Sequence, residues 1–356
     1  MRDQKLDIKS MTLPELSDYF KTLGQPAFRA GQVFSWLHKG AVASFDEMTD
    51  LPKALRARLA EEALIAVPET IRIQRSEQDG TVKALRGFGD ALVESVFMRY
   101  HHGNSVCIST QSGCRMGCAF CASGQNGLSR NLTASEMLAQ IQWMAKEEGP
   151  VSSVVLMGTG EPLDNYDNTL RFLALVHDPM GMGLSHRHIS LSTCGLADKI
   201  ERLAEEKLQI TLSVSLHAPF DEIRDRLMPV NRAFPLGRLM AACRAYQEKT
   251  GRRISFEYAM IEGINDTFAC ADELARLIRG MGAHVNLIPL NRVAESEYQG
   301  SGKDRVRAFQ QRLERRGVNA TVRRKLGPDI DASCGQLRNR VKTEERDDHN
   351  GFLGSD

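Results

Sequence analysis

The feature that leaves this chain the fewest choices of fold is a rhythm that begins at Ser105. Strand-like runs alternate with helix-patterned ones: "SVCIST" then "LTASEMLAQIQWMAKEEG", "VSSVVLMG" then "NTLRFLALVHD", "HISLSTCG" then "LADKIERLAEEKL". The series continues with "ITLSVSLHA" and "LGRLMAACRAYQEKTG", "ISFEYAMIEG" and "TFACADELARLIRGMG", "HVNLIPLN" and "KDRVRAFQQRLERRG". Six β–α units at intervals of about thirty residues predict parallel strands joined by crossover helices. The strands read as nearly continuous apolar runs, as expected when both faces of a sheet are covered. Six units are too few for a closed eight-stranded barrel and fit a partial one. In such an α/β fold chemistry gathers at the C-terminal ends of the strands. "NATVRRK" adds a further strand, followed by the loop "LGPDIDASCGQL".

The segments ahead of the barrel series differ. Residues 12–65 read as helical: "TLPELSDYFKTLG" opens with a Thr cap, Pro and Glu at capping-box spacing, and closes on Gly24. "AFRAGQVFSWLHKG" and "PKALRARLAEEAL" follow with apolar residues at helical intervals. Between about 68 and 102 two β-rich runs and a polar turn predict a small sheet. The expected divisions are a helical segment 1–66, a β extension 67–104, the barrel with its C-terminal cysteine loop 105–341, and a disordered tail 342–356. The start carries no apolar signal-peptide core and no run is long enough for a membrane span, so a cytoplasmic location is expected. There thiols stay reduced, and clustered cysteines point to metal binding or catalysis rather than to a disulfide framework.

One cluster stands out. "QSGCRMGCAFCASG" places Cys114, Cys118 and Cys121 within eight residues, on a glycine-bearing loop directly after the first barrel strand. Thiolates select zinc or iron–sulfur clusters, and three converging thiolates leave one coordination position open. A zinc site closed by Cys107 or Cys334 is the competing reading. Other strand ends carry candidate residues in matching places: Gly160 and Glu161 in "LMGTGEPL", Ser192 in "LSTCG", Ser215, Leu216 and His217 in "SVSLHAP", and Asn291 in "NLIPLN". Singly each satisfies a turn; together they outline a pocket. Cys194, Cys243 and Cys270 are assigned to packing.

The C-x3-C-x2-C spacing with Phe120 before the last cysteine resembles the radical S-adenosylmethionine (SAM) superfamily, whose fold is a partial (β/α)6 barrel. The resemblance implies a 4Fe-4S cluster on Cys114, Cys118 and Cys121, with SAM held by Gly160, Glu161, Ser192, Ser215, Leu216, His217 and Asn291. "CISTQSGCRMGCAFCASGQNGLSRNLTASE", "MGTGEPLDNY", "SLHAPFDEIRDRLMPVNR" and "DIDASCGQLR" are more specific and resemble the RlmN family, over residues 12 to 340. That family methylates C2 of adenosine in 23S rRNA and in certain tRNAs. The sister Cfr family, which methylates C8, shares the cysteines.

What the resemblance implies is a two-SAM reaction. Cys334 takes a methyl group from one SAM, and a deoxyadenosyl radical from a second activates that methyl for addition to the base. Cys107 then attacks Cys334, forming a disulfide and releasing product, and Glu94 accepts the proton. A small external electron donor, flavodoxin or ferredoxin, and a monomeric state are also implied. Taken without the family, Cys107 reads as a small buried hydrophobe in mid-strand, and Glu94 as the exposed side of a strand. Cys334, in a polar loop before glycine, suits a reactive thiol better. The net charge of +1 argues for no partner, but residues 301–340 hold eleven Lys/Arg against four Asp/Glu. Arg323, Arg324 and Lys325 there, with Lys53, Arg56 and Arg58 in the N-terminal helices, are candidate phosphate contacts.

Overall fold

The computed structural model describes residues 5–124, 127–290 and 297–330, together with Leu337. Asn291, Cys334 and the segment from 342 onward lie outside the described residues. At the N-terminus β1 (Leu6–Asp7) leads into α1 (Leu13–Thr22), α2 (Phe28–His38), α3 (Lys53–Glu62) and β2 (Ala63–Leu64). The three expected helices form, and α1 starts as its sequence predicts: the Glu15 carboxylate accepts the Thr12 N–H at 2.8 Å. The parallel pairing of β1 with β2, which ties the two ends of this unit together, was not expected. Two-residue strands have no periodicity to read.

The β extension has three strands where two were expected: β3 (Glu69–Arg75), β4 (Val82–Phe88) and β5 (Ala91–Met98), all antiparallel. Gly89, at φ 59°, makes the tight β4–β5 turn. The extension is not a separate sheet. Through β5 it joins β6 (Ser105–Cys107), the first barrel strand.

After β6 comes a ribbon, β7 (Gln111–Gly113) and β8 (Leu128–Asn131), which frames the cysteine loop. Then follow α4 (Ala134–Glu148), β9 (Ser153–Leu156), α5 (Tyr166–His177), β10 (Ile189–Thr193), α6 (Ala197–Glu205) and β11 (Thr211–Ser215). A short α7 (Asp221–Leu227), absent from the expected series, precedes α8 (Leu236–Thr250) and β12 (Ile254–Met260). The chain continues through α9 (Phe268–Leu277), β13 (His284–Pro289), α10 (Lys303–Arg315) and β14 (Asn319–Val322). The large sheet runs β14-β13-β12-β11-β10-β9-β6-β5-β4-β3, and every pairing from β6 to β14 is parallel. This is the partial barrel, with the six expected crossover helices in place.

The apolar-run reading of the strands is corrected. Val154, Leu156, Leu191, Leu212, Val214, Phe256, Val285 and Leu287 are buried in the core, whereas Ser190, Ser192, Ser213, Ser255, Glu257 and Asn286 alternate with them; in β9 the alternating residue, Val155, is apolar. Register aligns Ser192 with Ser213, Ser213 with Ser255, Ser215 with Glu257, and Glu257 with Asn286. Only the outer face of this barrel packs on helices, so period-two alternation returns. The inner face is a ladder of small polar side chains, in which Glu257 accepts hydrogen bonds from Asn286 Nδ2 (2.7 Å) and Ser255 Oγ (3.2 Å).

Candidate active site

Cys114 follows β7 directly. Its N–H donates to Gly127 O at 2.9 Å, and Cys121 N–H donates to Cys118 O at 3.1 Å, so the loop turns tightly around its thiols. Gly113 (φ 85°) cannot be replaced without strain, because a Cβ there would lie 2.0 Å from Gly127 O. Arg115, Gly117 and Ala119 are exposed, and the residues alternating with them turn inward. Met116, Cys118 and Phe120 pack with Leu227, Met228 and Ile261, and Ala119 N–H donates to Leu227 O at 2.9 Å. The unexpected α7 is thus the backing of the cysteine loop.

All three cysteines line one cavity of about 300 Å³, which sits at the C-terminal ends of the parallel strands. Its walls include Gly160, Glu161, Ser192, Ser215 and His217, five of the seven residues expected for the cofactor. Leu216 is not among them: its side chain is buried in the apolar core, and its backbone N–H donates to Glu257 O. Asn291 lies outside the described residues, although Leu290, the residue before it, lines the cavity.

Each polar wall residue is fixed. Glu161 is buried; its carboxylate accepts N–H groups from Cys194 (2.6 Å) and Leu163 (3.1 Å), tying the end of β9 to that of β10. Burial pushes its pKa up and these hydrogen bonds oppose the shift. His217 holds φ 56°, a left-handed conformation that favours glycine. Asn265 locks it there, with Nδ2 donating to His217 O (2.7 Å) and Ala259 O (2.6 Å). The ring Nδ1 accepts Ala259 N–H at 2.9 Å, which leaves the proton on Nε2. Burial drives the pKa down to about 3, so the ring is a neutral donor.

Among the described residues no three His, Cys, Asp or Glu side chains are close enough to share one metal ion. Three thiols along one wall fit a multi-iron cluster, in which separate irons each take one thiolate. Burial pushes the Cys114 thiol up to about 12 and Cys118 higher still, so a bound cation is what would hold them as thiolates.

A second group of expected residues lies away from this cavity wall. Glu94 is not the exposed side of its strand; it is buried and pairs with the buried Lys83, Oε2 to Nζ, at 3.1 Å. The reason is register: Lys83 opposes Val96, two residues from Glu94 on the same face, and Cys107 opposes Val96 from the other side. Cys107 is buried with Val96 and Met98, with Leu326 packed against them. Leu337 is buried against Leu85 on the same face. Leu326 and Leu337, which flank Cys334 in sequence, are both seated on the face that carries Lys83, Glu94 and Cys107. No disulfide joins two described cysteines.

One sequence assignment needs revision. Cys194 lines the cavity rather than serving only as packing, whereas Cys243 and Cys270 are buried in the core as expected. Glu257 and Arg323 also line the cavity; glutamate in mid-strand ("ISFEYAM") was the available signal for the first. Among the candidate phosphate contacts, Arg56 donates to Asp46 O at 2.6 Å and Arg58 pairs with Glu62 at 2.7 Å, while Arg323, Arg324 and Lys325 are exposed.

Comparison with known proteins agrees with this geometry. Residues 108–278 match the profile of the radical SAM superfamily, and residues 6–65 that of the ribosomal RNA large subunit methyltransferase N-terminal domain. A probable dual-specificity RNA methyltransferase RlmN from Lachnospira eligens is 50% identical over 97% of this chain and 99% of its own length. One from Symbiobacterium thermophilum is 51% identical over 94% and 92%. The crystal structure of a radical SAM methyltransferase from Sphaerobacter thermophilus superposes with a TM-score of 0.89 at 44% identity, over 93% of this chain and 98% of that one.

Proposed function

Because the chain belongs to the RlmN family of radical SAM RNA methyltransferases, we propose that it methylates C2 of adenosine in 23S rRNA and in tRNA. We read Cys334 as the methyl carrier and Cys107 as its resolving thiol. The observation that supports this reading is that Leu326 and Leu337, on either side of Cys334 in sequence, both pack on the face that bears Glu94 and Cys107. Cys334 is three residues from Leu337, about 10 Å of chain at full extension.

In this reading Cys114, Cys118 and Cys121 hold a 4Fe-4S cluster and leave one iron for SAM, which Gly160, Glu161, Ser192, Ser215, His217 and Asn291 orient. The bound cofactors supply the radical chemistry that an electron-poor ring carbon requires. Two SAM molecules are used per turnover, one as methyl donor to Cys334 and one as radical source. Glu94 takes the proton lost from the adduct, in a charged pair with Lys83. Cys107 attacks Cys334, and the transient disulfide frees the product. Residues 1–66 serve as an accessory RNA-binding unit, with Arg323, Arg324 and Lys325 as phosphate contacts beside the cavity. Residues 67–104 form the extension, and 105–341 the catalytic barrel. Among the described residues no helix is long and apolar enough to cross a membrane. An RNA substrate fits a cytoplasmic monomer served by flavodoxin or ferredoxin.

The test is anaerobic reaction of the reconstituted protein with rRNA and tRNA, followed by nucleoside analysis. The expected product is 2-methyladenosine; 8-methyladenosine would assign the chain Cfr-type chemistry. Mass spectrometry should find a methyl group on the Cys334 peptide. Cys107→Ala should accumulate RNA covalently attached at Cys334, and free methylated RNA at the unmodified rate would remove Cys107 from the scheme.

A further inference from the structure

Arg224, on α7, is fully buried among neutral hydrogen-bond partners. Its Nε donates to Leu216 O (3.1 Å), Nη1 to Asn231 Oδ1 (2.8 Å), and Nη2 to Cys194 O (2.7 Å) and Ser215 O (3.2 Å). Three carbonyls and an amide oxygen take four of its five N–H donors without cancelling its charge, and arginine keeps its proton in proteins. The nearest acids in this network, Asp221 and Asp225, are reached only through Asn231 Nδ2, at 2.9 and 2.7 Å. Leu227, three residues along the same helix, accepts the Ala119 N–H, beside Cys118. Cys118 packs in the apolar cluster of Leu227 and Met228, which follow Arg224 along the chain, and the Arg224 charge is felt at the Cys118 thiol.

We propose that Arg224 is a positioning residue that also tunes the cluster: its fixed buried charge eases one-electron reduction of the cluster on Cys114, Cys118 and Cys121. The proposal rests on the cluster assignment made above. Reduction adds one electron from a low-potential donor, breaks no bond and moves no proton, so the cluster gains one negative charge. In buried apolar surroundings, where screening by water is weak, a nearby cation stabilises that added charge. Cluster potentials respond to such local charge. A mere fastener of strand ends would depend on the fork of donors rather than on charge, and the two roles separate by substitution.

Redox titration with dithionite and mediators, followed by electron paramagnetic resonance without SAM, reads the midpoint directly. Iron and sulfide analysis comes first. A wild-type protein that holds no four-iron cluster defeats the cluster assignment itself, independently of Arg224. With the cluster loaded, Arg224→Gln should lower the reduced-to-oxidised ratio at fixed potential at least tenfold, about 59 mV for one electron. Arg224→Lys, which keeps the charge and loses the fork, should stay within threefold of wild type. Equal midpoints in all three proteins, or equal falls in both variants, overturn the proposal. If Arg224→Gln fails to fold or load, Asp225→Asn removes an opposing charge from the same network and should raise the midpoint. An unmoved midpoint in that variant likewise overturns it.

Discussion

Single residues here are held by partners distant in sequence, and two histidines expose the consequences. His217 uses Nδ1 as an acceptor and presents Nε2–H. Asn can reproduce the acceptor and tolerates positive φ, so His217→Asn should leave the thermal midpoint within a few degrees of wild type. SAM affinity, measured by calorimetry, should fall about tenfold, the equivalent of one lost hydrogen bond. His38 is buried against Phe34, and neither ring nitrogen has a hydrogen-bond partner among the described residues. Its pKa falls from 6.5 to about 3, chiefly through burial. A folded pKa below the unfolded one means that the unfolded chain binds the proton first. The stability it contributes is complete above pH 6.5 and is lost as pH falls toward 3. His38→Phe should therefore lessen the drop in stability between pH 7 and pH 5 by about 2 kcal/mol in urea melts; an unchanged drop would deny its neutral burial.

Elements explain what the sequence could and could not reveal. The helices and strands of the barrel were legible because their periods differ and each unit repeats. The serines at every second position of "ISLST" and "TLSVS" were equally visible, and they mark the inner face that the apolar-run reading missed. Glu94 was not legible. It pairs with Lys83 across one turn, and Leu337, more than 200 positions away, packs on Leu85 of the same face; local pattern encodes neither. A double-mutant cycle of Lys83→Met and Glu94→Gln tests this pair and should give a coupling of roughly 1.5–3 kcal/mol, since breaking a buried pair from one side costs about 3–5 kcal/mol. Loop glycines are a second case. Gly160 (φ 114°) leaves a Cβ only 2.7 Å from Gln111 Cβ and 2.8 Å from Gln111 N. Gly160→Ala should destabilise by about 2–5 kcal/mol, combining left-handed strain with overpacking, and iron loading should fall with it.

At the scale of the molecule, the N-terminal helices and the barrel share one apolar core: Phe34 and Leu37 bury in the same cluster as Leu138, Ile141 and Val176. Polar contacts reinforce it. Gln142 Nε2 donates to Leu37 O and His38 O, both at 2.9 Å, and Arg171 reaches Ser10 O at 3.2 Å. The two tryptophans fall one on each side, Trp36 in α2 and Trp143 in α4. Melts of Trp36→Phe and Trp143→Phe, each followed by the remaining indole, should coincide within about 2 °C, as one cooperative unit requires; separated transitions would mean that the helices unfold alone. The same joining of parts governs the C-terminal segment. Asp329 accepts Ser76 Oγ (2.5 Å) and Glu77 N–H (2.9 Å), and Leu337 is seated on Leu85, so both anchors stand on the antiparallel extension. Only seven residues of chain lie between them, a span of at most about 29 Å. If Cys334 is the thiol that Cys107 attacks, as proposed, a tether of that length would set its effective concentration at Cys107 on the order of millimolar. Small thiols in solution would then compete only when as concentrated themselves.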